Sequence, residues 1–180
     1  PKLTLVGVID ADLGLTGSDL RAAERTFQLM RQVAGRAGRA EAPGTALLQT
    51  YQPDHPVIRS ILAGDEEGFW SAEAKERSHA GMPPYGRLAG IILSGPDVAA
   101  VFEAGNQLAR NDRALREVGA QVYGPAPAPI ARVRGRHRVR LLVKADKSVA
   151  LQRVLQVWVS QIRLKGDLRL AVDIDPQSFY

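Results

Sequence analysis

No cysteine occurs anywhere in the 180 residues. That absence excludes disulfides, thiolate nucleophiles and cysteine-based zinc sites, and it favours an intracellular setting. No apolar run approaches the roughly 18 to 20 residues of a membrane-spanning helix, so a soluble chain is expected. There is no initiator methionine and no signal-peptide pattern. Pro1 leads at once into an apolar run, which predicts a segment of a longer protein. What is present is a globular composition, with 45% hydrophobic and 24% charged residues. The length suits one ordinary domain, or one small domain and part of another. A formal net charge of +5 points to a polyanionic partner, provided the cations cluster.

Hydrophobic patterning predicts two kinds of fold in succession. Leu3 to Ile9 reads as a fully buried strand of a parallel sheet, followed by Asp10-Ala11-Asp12. Ser18 or Asp19 is a cap candidate for a helix from about Leu20 to Val33, with Ala23, Phe27 and Met30 on one face. A strand from Thr45 to Thr50 completes a β, α, β order, the tail of an α/β domain over residues 1–50. Residues 51–82 read as a helical connector, with helices from Val57 to Ala63 and from Glu66 to Ala80, ended by Pro83 and Pro84.

Residues 83–180 then read as a strand (87–93), a long helix (97–118), a short strand (121–124, or slightly later) and a proline-rich joint (125–129). A hairpin (130–144), a helix (148–164) and a last strand (168–174) follow. The order βαββαβ predicts a ferredoxin-like α+β fold, with both helices on one face of an antiparallel sheet and the other face open.

The hairpin holds Arg132, Arg134, Arg136, Arg138 and Arg140 at alternate positions, and Lys144 continues their parity. Alternation in a strand predicts a cationic patch on the open face, while Val139, Leu141 and Val143 turn to the core. Such density suits phosphate contact without sequence reading, since no aromatic pattern of the RRM kind accompanies it. The competing reading is a charged edge that guards the sheet against aggregation. Tyr85 and Tyr123 are candidates for stacking on bases, or for core and hinge positions. The pairs Asp10/Asp12 and Asp173/Asp175 have metal-like spacing but no nearby third ligand, so strand-end carboxylates are the simpler reading. His55, His79 and His137 form no HExxH or triad pattern. Trp158 falls with Val154 and Ile162 at helical spacing, a packing face.

The segment QVAGRAGR (residues 32–39) closes the first helix. Gly35 and Gly38 remove side chains beside Arg36 and Arg39, so the backbone can approach another surface while two guanidiniums reach across it. Guanidinium forks match phosphate oxygens, and an arginine set against a γ-phosphate stabilises charge that develops during phosphoryl transfer.

QVAGRAGR resembles motif VI (QxxGRxxR) of superfamily 2 helicases. Together with VGVIDADLGL, LLQTYQPDHPVI, MPPYGRLAGIILSG, VYGPAPAPIARVRGRHRVRLLVKA and VDIDPQSFY, it is similar to the PriA family of bacterial primosomal helicases, along the whole chain. The resemblance implies the end of a second RecA-like lobe over 1–50 and that family's C-terminal domain over 83–180. It implies that Gln32, Arg36 and Arg39 face ATP held with magnesium mainly by an absent lobe, Arg39 as the finger and Arg36 as a second γ-phosphate contact. It further implies a cytoplasmic, nucleoid-associated 3′→5′ DNA helicase that acts at abandoned forks in replication restart. The implied partners are forked and single-stranded DNA, single-stranded DNA-binding protein (SSB), and primosome and replisome-loading proteins, with no membrane. Zinc is implied for the family outside this segment. The SSB tail would meet a basic residue and a glutamine corresponding to Ser148 and Gln152, with Lys147 adjacent. No Walker A or DExH motif is present, so this segment is expected to be inactive alone. The alternative is a non-enzymatic nucleic-acid- or protein-binding ferredoxin-like module, with QVAGRAGR only a glycine-rich turn.

Overall fold

The computed structural model describes residues 4–15, 19–37 and 44–177. The chain divides into two compact units between Lys75 and Glu76. Elements of both kinds occur, helices with a parallel pair of strands first and helices with an antiparallel sheet second.

In the first unit β1 (Leu5–Val8) and β2 (Thr45–Leu48) pair in parallel, from Leu5 opposite Thr45 to Val8 opposite Leu48. Parallel neighbours need a crossover, and α1 (Ala22–Ala34) lies between the two strands in the chain. α2 (Pro56–Ala63) and the start of α3 (Glu66–His79) complete the unit. α2 begins with proline at its first turn, where the missing N–H costs nothing, and the Val57 N–H donates to His55 Nδ1 at 3.3 Å. It stops at Gly64, whose φ of +66° is the left-handed cap that glycine adopts without a Cβ clash.

Phe27 and Met30 of α1 share a core with Val57, Ile58, Ile61 and Phe69. The Phe27 and Phe69 rings stack 3.9 Å apart, and Trp70 meets both edge-on. Residues 51–82 are therefore more than a connector, since α2 and Phe69 supply part of this core. β1, expected to be fully buried, alternates between exposed and half-buried residues. Among the described residues it pairs with β2 alone, and a two-stranded sheet leaves Leu5 and Leu47 exposed. Asp12 ties the strand ends together, accepting from Thr50 Oγ1 at 2.6 Å and Tyr51 N–H at 2.7 Å. These bonds to the ionised form, Thr50 first, hold its carboxyl below the usual range.

The second unit is a four-stranded sheet of β3 (Gly86–Gly95), β4 (Gln121–Val133), β5 (Arg136–Asp146) and β6 (Arg169–Ile174). The spatial order is β4-β5-β3-β6, and every neighbouring pair is antiparallel. Ala89, Ile91 and Leu93 of β3 lie opposite Val143, Leu141 and Val139 of β5. That face packs on Val101 and Leu108 of α4 (Val98–Arg110), on Leu115 of the short α5 (Arg113–Arg116), and on Leu151, Leu155 and Trp158 of α6 (Leu151–Ser160).

Of the element bounds that differ from those read in the sequence, three have local causes. The helix expected over 97–118 breaks after Arg110, at Asn111 and Asp112, two residues of low helix propensity, and the Asp112 carboxylate pairs with Arg116 at 2.9 Å. The strand expected to stop at Gly124 or slightly later runs on to Val133 through Pro125, Pro127 and Pro129, with register shifts after Tyr123 and after Pro127. β4 is an edge strand, where a missing N–H breaks no ladder. The last helix runs from Leu151 to Ser160, short of the expected 148–164 at both ends. Asp146 Oδ1 accepts from the Ser148 N–H at 2.9 Å and hydroxyl at 2.6 Å, which holds the preceding turn out of helical form.

Candidate nucleic-acid interface

The hairpin turn decides where the arginines go. Val133 pairs with Arg136, leaving Arg134 and Gly135 as a two-residue turn with φ of +48° and +78°. Both values are positive, the conformation that suits the twist of a tight hairpin. Residues directly opposite one another share a face, so Arg132, opposite His137, lies on the side that carries Val139 and Leu141. Arg136, Arg138, Arg140 and Lys144 have the opposite parity and lie on the face away from the helices. The expected single patch is thus divided between one face, the turn and the other face.

Four cross-strand rows order the open face. Arg138 lies opposite Ser94, which lies opposite Arg169. Next come Ala126, Arg140, Ile92 and Ala171, then Tyr123, Leu142, Gly90 and Asp173. The fourth row is Gln121, Lys144 and Leu88. Leu88 is only 3% exposed, so the face is closed at this end. A Cβ placed on Gly81 would sit 3.3 Å from Lys144 Cε, so the chain ahead of β3 runs over that lysine.

Arg136 is committed to the fold. Its guanidinium pairs with the Asp167 carboxylate, donates to the Asp167 carbonyl at 2.5 Å and to the Ser94 carbonyl at 3.0 Å. Its side chain is 20% exposed, and its Nε is buried without a partner. The Arg136 hydrogen bond holds the Asp167 carboxyl below the ordinary range. The folded value is depressed, so this contribution is present above the unfolded carboxylate pKa of about 3.9 and is lost as pH falls through the lower folded value. Arg136→Ala is expected to lower stability at pH 7, with about 1 to 2 kcal/mol from the Ser94 bond alone. Paired urea titrations at pH 7 and in acid should show the gap between wild type and variant narrowing as Asp167 is protonated.

Arg138 Nη1 lies 3.5 Å from the Ile130 carbonyl, a weak contact. Arg132 and Arg134 are exposed. Arg169 on β6 is 71% exposed and joins the row of Arg138, a cation that sequence reading missed. Its only sequence signal was that it shares strand parity with Ala171 and Asp173, two and four residues on.

In the first unit Gln32 is exposed on the last turns of α1, and Arg36 is exposed in the turn that follows. Arg39 and Gly38 lie outside the described residues. Gly35 has φ of −67°, so its backbone needs no glycine; a Cβ there would sit 3.2 Å from the Arg31 carbonyl. Gln32 and Gly35 line an open groove of about 610 Å³ with Phe27, Ile61 and Trp70, and the ion pair Arg31–Glu66 (2.6 Å) also borders it.

The metal-like carboxylate pairs mostly have structural partners. Asp10 accepts from the N–H groups of Asp12 and Leu13, and Asp175 accepts from Arg87 Nε at 2.8 Å and Leu88 N–H at 3.0 Å. Among the described residues no three His, Cys, Asp or Glu side chains are grouped to hold a metal ion, and no helix is long and apolar enough to cross a membrane. Lys147 and Gln152 are both exposed, one in the turn after β5 and one at the start of α6.

Residues 78–177 match the model of the family described as the primosomal protein N C-terminal domain. The chain belongs to that family. Primosomal protein N relatives extend the similarity over the first unit. The replication restart protein PriA of Rickettsia conorii is 43% identical over 180 residues, covering 100% of this chain and 27% of that protein. PriA of Synechocystis is 38% identical and PriA of Bacillus subtilis 36%, each over 98% of this chain and 21% and 22% of theirs. The chain thus spans about a quarter of the length of these relatives, with the primosomal protein N domain as its second unit.

Proposed function

We propose that this chain is the C-terminal part of an ATP-dependent 3′→5′ DNA helicase that binds stalled replication forks and initiates primosome assembly. Residues up to β2 are the end of a second RecA-like lobe, and the second unit is a ferredoxin-like module that binds DNA. The parallel β1-α1-β2 crossover supports the first assignment. The strand order β4-β5-β3-β6, all antiparallel, supports the second, because a βαββαβ chain generates it when both helices pack on one face.

The observation that carries the reading is the position of Gln32 and Arg36, exposed at the C-terminal end of a crossover helix within a chain wholly similar to replication restart proteins. An exposed guanidinium there fits the terminal phosphate of ATP bound chiefly by a preceding lobe with its magnesium, and Arg39 is the finger. The nucleotide supplies the phosphoryl group; these residues orient it and spread its charge. A Walker A and a DExH motif earlier in the parent sequence would separate this reading from a non-enzymatic module. SSB docks through Lys147 and Gln152, with the Asp146 carboxylate nearby limiting the net positive charge.

DNA binding is assigned to the open sheet face through Arg138, Arg140 and Arg169, with Arg132 and Arg134 reaching from the hairpin end. Arg138→Ala/Arg140→Ala is expected to weaken binding of this chain to forked and single-stranded oligonucleotides about tenfold at low salt, regardless of sequence. The slope of log K against log salt should fall by roughly 1 to 2. Fluorescence anisotropy at two salt concentrations measures both quantities. Unchanged affinity and slope would move the DNA site to another surface.

A further inference from the structure

We propose that the open face of the four-stranded sheet seats an unpaired nucleobase against Tyr123 and over Gly90, so that the second unit favours single-stranded over fully paired DNA. The inference rests on the DNA-binding reading and adds a base contact to it.

Tyr123 is 48% exposed, and its hydroxyl donates to Gln121 Oε1 at 2.6 Å, which fixes one edge of the ring. The same row continues through Leu142 to Gly90 at the middle of the sheet. Gly90 needs an explanation, because glycine in a strand interior loses side-chain packing and costs backbone entropy. Its φ is not in the left-handed range, and a Cβ built on it meets nothing within 4 Å. Neither backbone conformation nor crowding accounts for it. The missing side chain leaves a shallow recess beside Leu142, and a glycine of this kind marks where another group approaches the backbone closely.

Charge around the recess sets an orientation. Arg140 stands one row away, roughly 7 Å along the strand, between Ala126 and Ile92. Arg138 and Arg169 lie one row further, whereas Asp173 ends the recess row itself. Phosphates are therefore drawn to the arginine rows and turned away from the Asp173 end, which directs the base toward Tyr123 and Gly90. A base inside a duplex has both faces stacked and cannot lie on this surface; an unpaired base can.

The test uses this chain with a labelled single-stranded oligonucleotide and a blunt duplex of the same sequence, together with a single strand carrying 2-aminopurine. Tyr123→Leu should lose about tenfold in single-strand affinity, the range of one stacking contact, with blunt-duplex affinity unchanged. Tyr123→Phe should retain single-strand binding, because the ring does the stacking. Gly90→Val, a residue well suited to a strand, should fill the recess and lose single-strand affinity. Quenching of 2-aminopurine should accompany binding to wild type and disappear with Tyr123→Leu. If folded Tyr123→Leu and Gly90→Val bind single strands as wild type does, while Arg138→Ala/Arg140→Ala still weakens DNA binding, the base site is wrong and the DNA reading stands. If wild type binds neither DNA at low salt, both fall. If these variants abolish capture of an acidic peptide and leave DNA binding intact, the face is a protein site and the proposal is overturned.

Discussion

Arg39→Ala in the complete protein is expected to cut DNA-stimulated ATP hydrolysis by about 10³-fold or more, while DNA affinity changes little. The asymmetry follows from the role proposed for the residue. A finger touches charge that builds up on the transferring phosphoryl group, so its loss falls on turnover rather than on nucleic-acid contact. Arg36→Ala should lower turnover less and raise the KM for ATP, as suits a second contact also made in the ground state. Steady-state ATPase assays with saturating forked DNA, paired with anisotropy for DNA affinity, check both halves. Survival of turnover in Arg39→Ala would remove the finger assignment, and a parallel loss of DNA binding would point to a folding defect instead.

The second large effect is on stability. Trp158→Ala is expected to destabilise the second unit by about 3 to 5 kcal/mol, a large part of a typical domain's 5 to 15 kcal/mol. Trp158 is 0% exposed within the core that joins α4, α6 and the sheet. Its indole N–H donates to the Leu108 carbonyl at 3.1 Å, in the last turn of α4, where that oxygen also accepts from the Asn111 N–H at 3.1 Å. Alanine therefore removes volume that the sheet cannot collapse to fill, and it takes away the donor at a helix end. Trp158→Phe should recover part of the loss, keeping apolar bulk without the hydrogen bond. Urea denaturation followed by circular dichroism measures the three proteins. A shift below about 1 kcal/mol for alanine would mean that the α4–α6 contact carries little of the fold.

Much of the second unit was legible in the sequence because its patterns are local. Alternation in Val139, Leu141 and Val143, helical spacing in Val154 and Trp158, and glycine at 135 each identify an element without knowledge of the rest, although Ile162 lies beyond the end of the helix. The misread boundaries have local causes as well. Three prolines suggested a joint where an edge strand tolerates them, and Asn111-Asp112 broke a helix that periodicity alone would have continued.

The candidate interface was legible only in part, because a two-residue turn reverses the chain and exchanges parity. Arg132 and Arg138 look equivalent in the sequence, yet their cross-strand partners set them on opposite faces. The fate of Arg136 depends on Asp167, 31 residues away, and no spacing rule connects them. Arg169 enters the face through pairing of β6 with β3, which is likewise a long-range choice.

The tightness of the Arg134-Gly135 turn couples charge to core as one reading frame. An indel of a single residue there leaves composition and net charge almost untouched, yet realigning β5 by one step would swap Arg138 and Arg140 with Val139 and Leu141. Guanidiniums would then point at the helices and valines at water. Drift in this protein can therefore exchange one arginine for another side chain with graded effect, whereas lengthening the bend by one position forfeits surface and interior together.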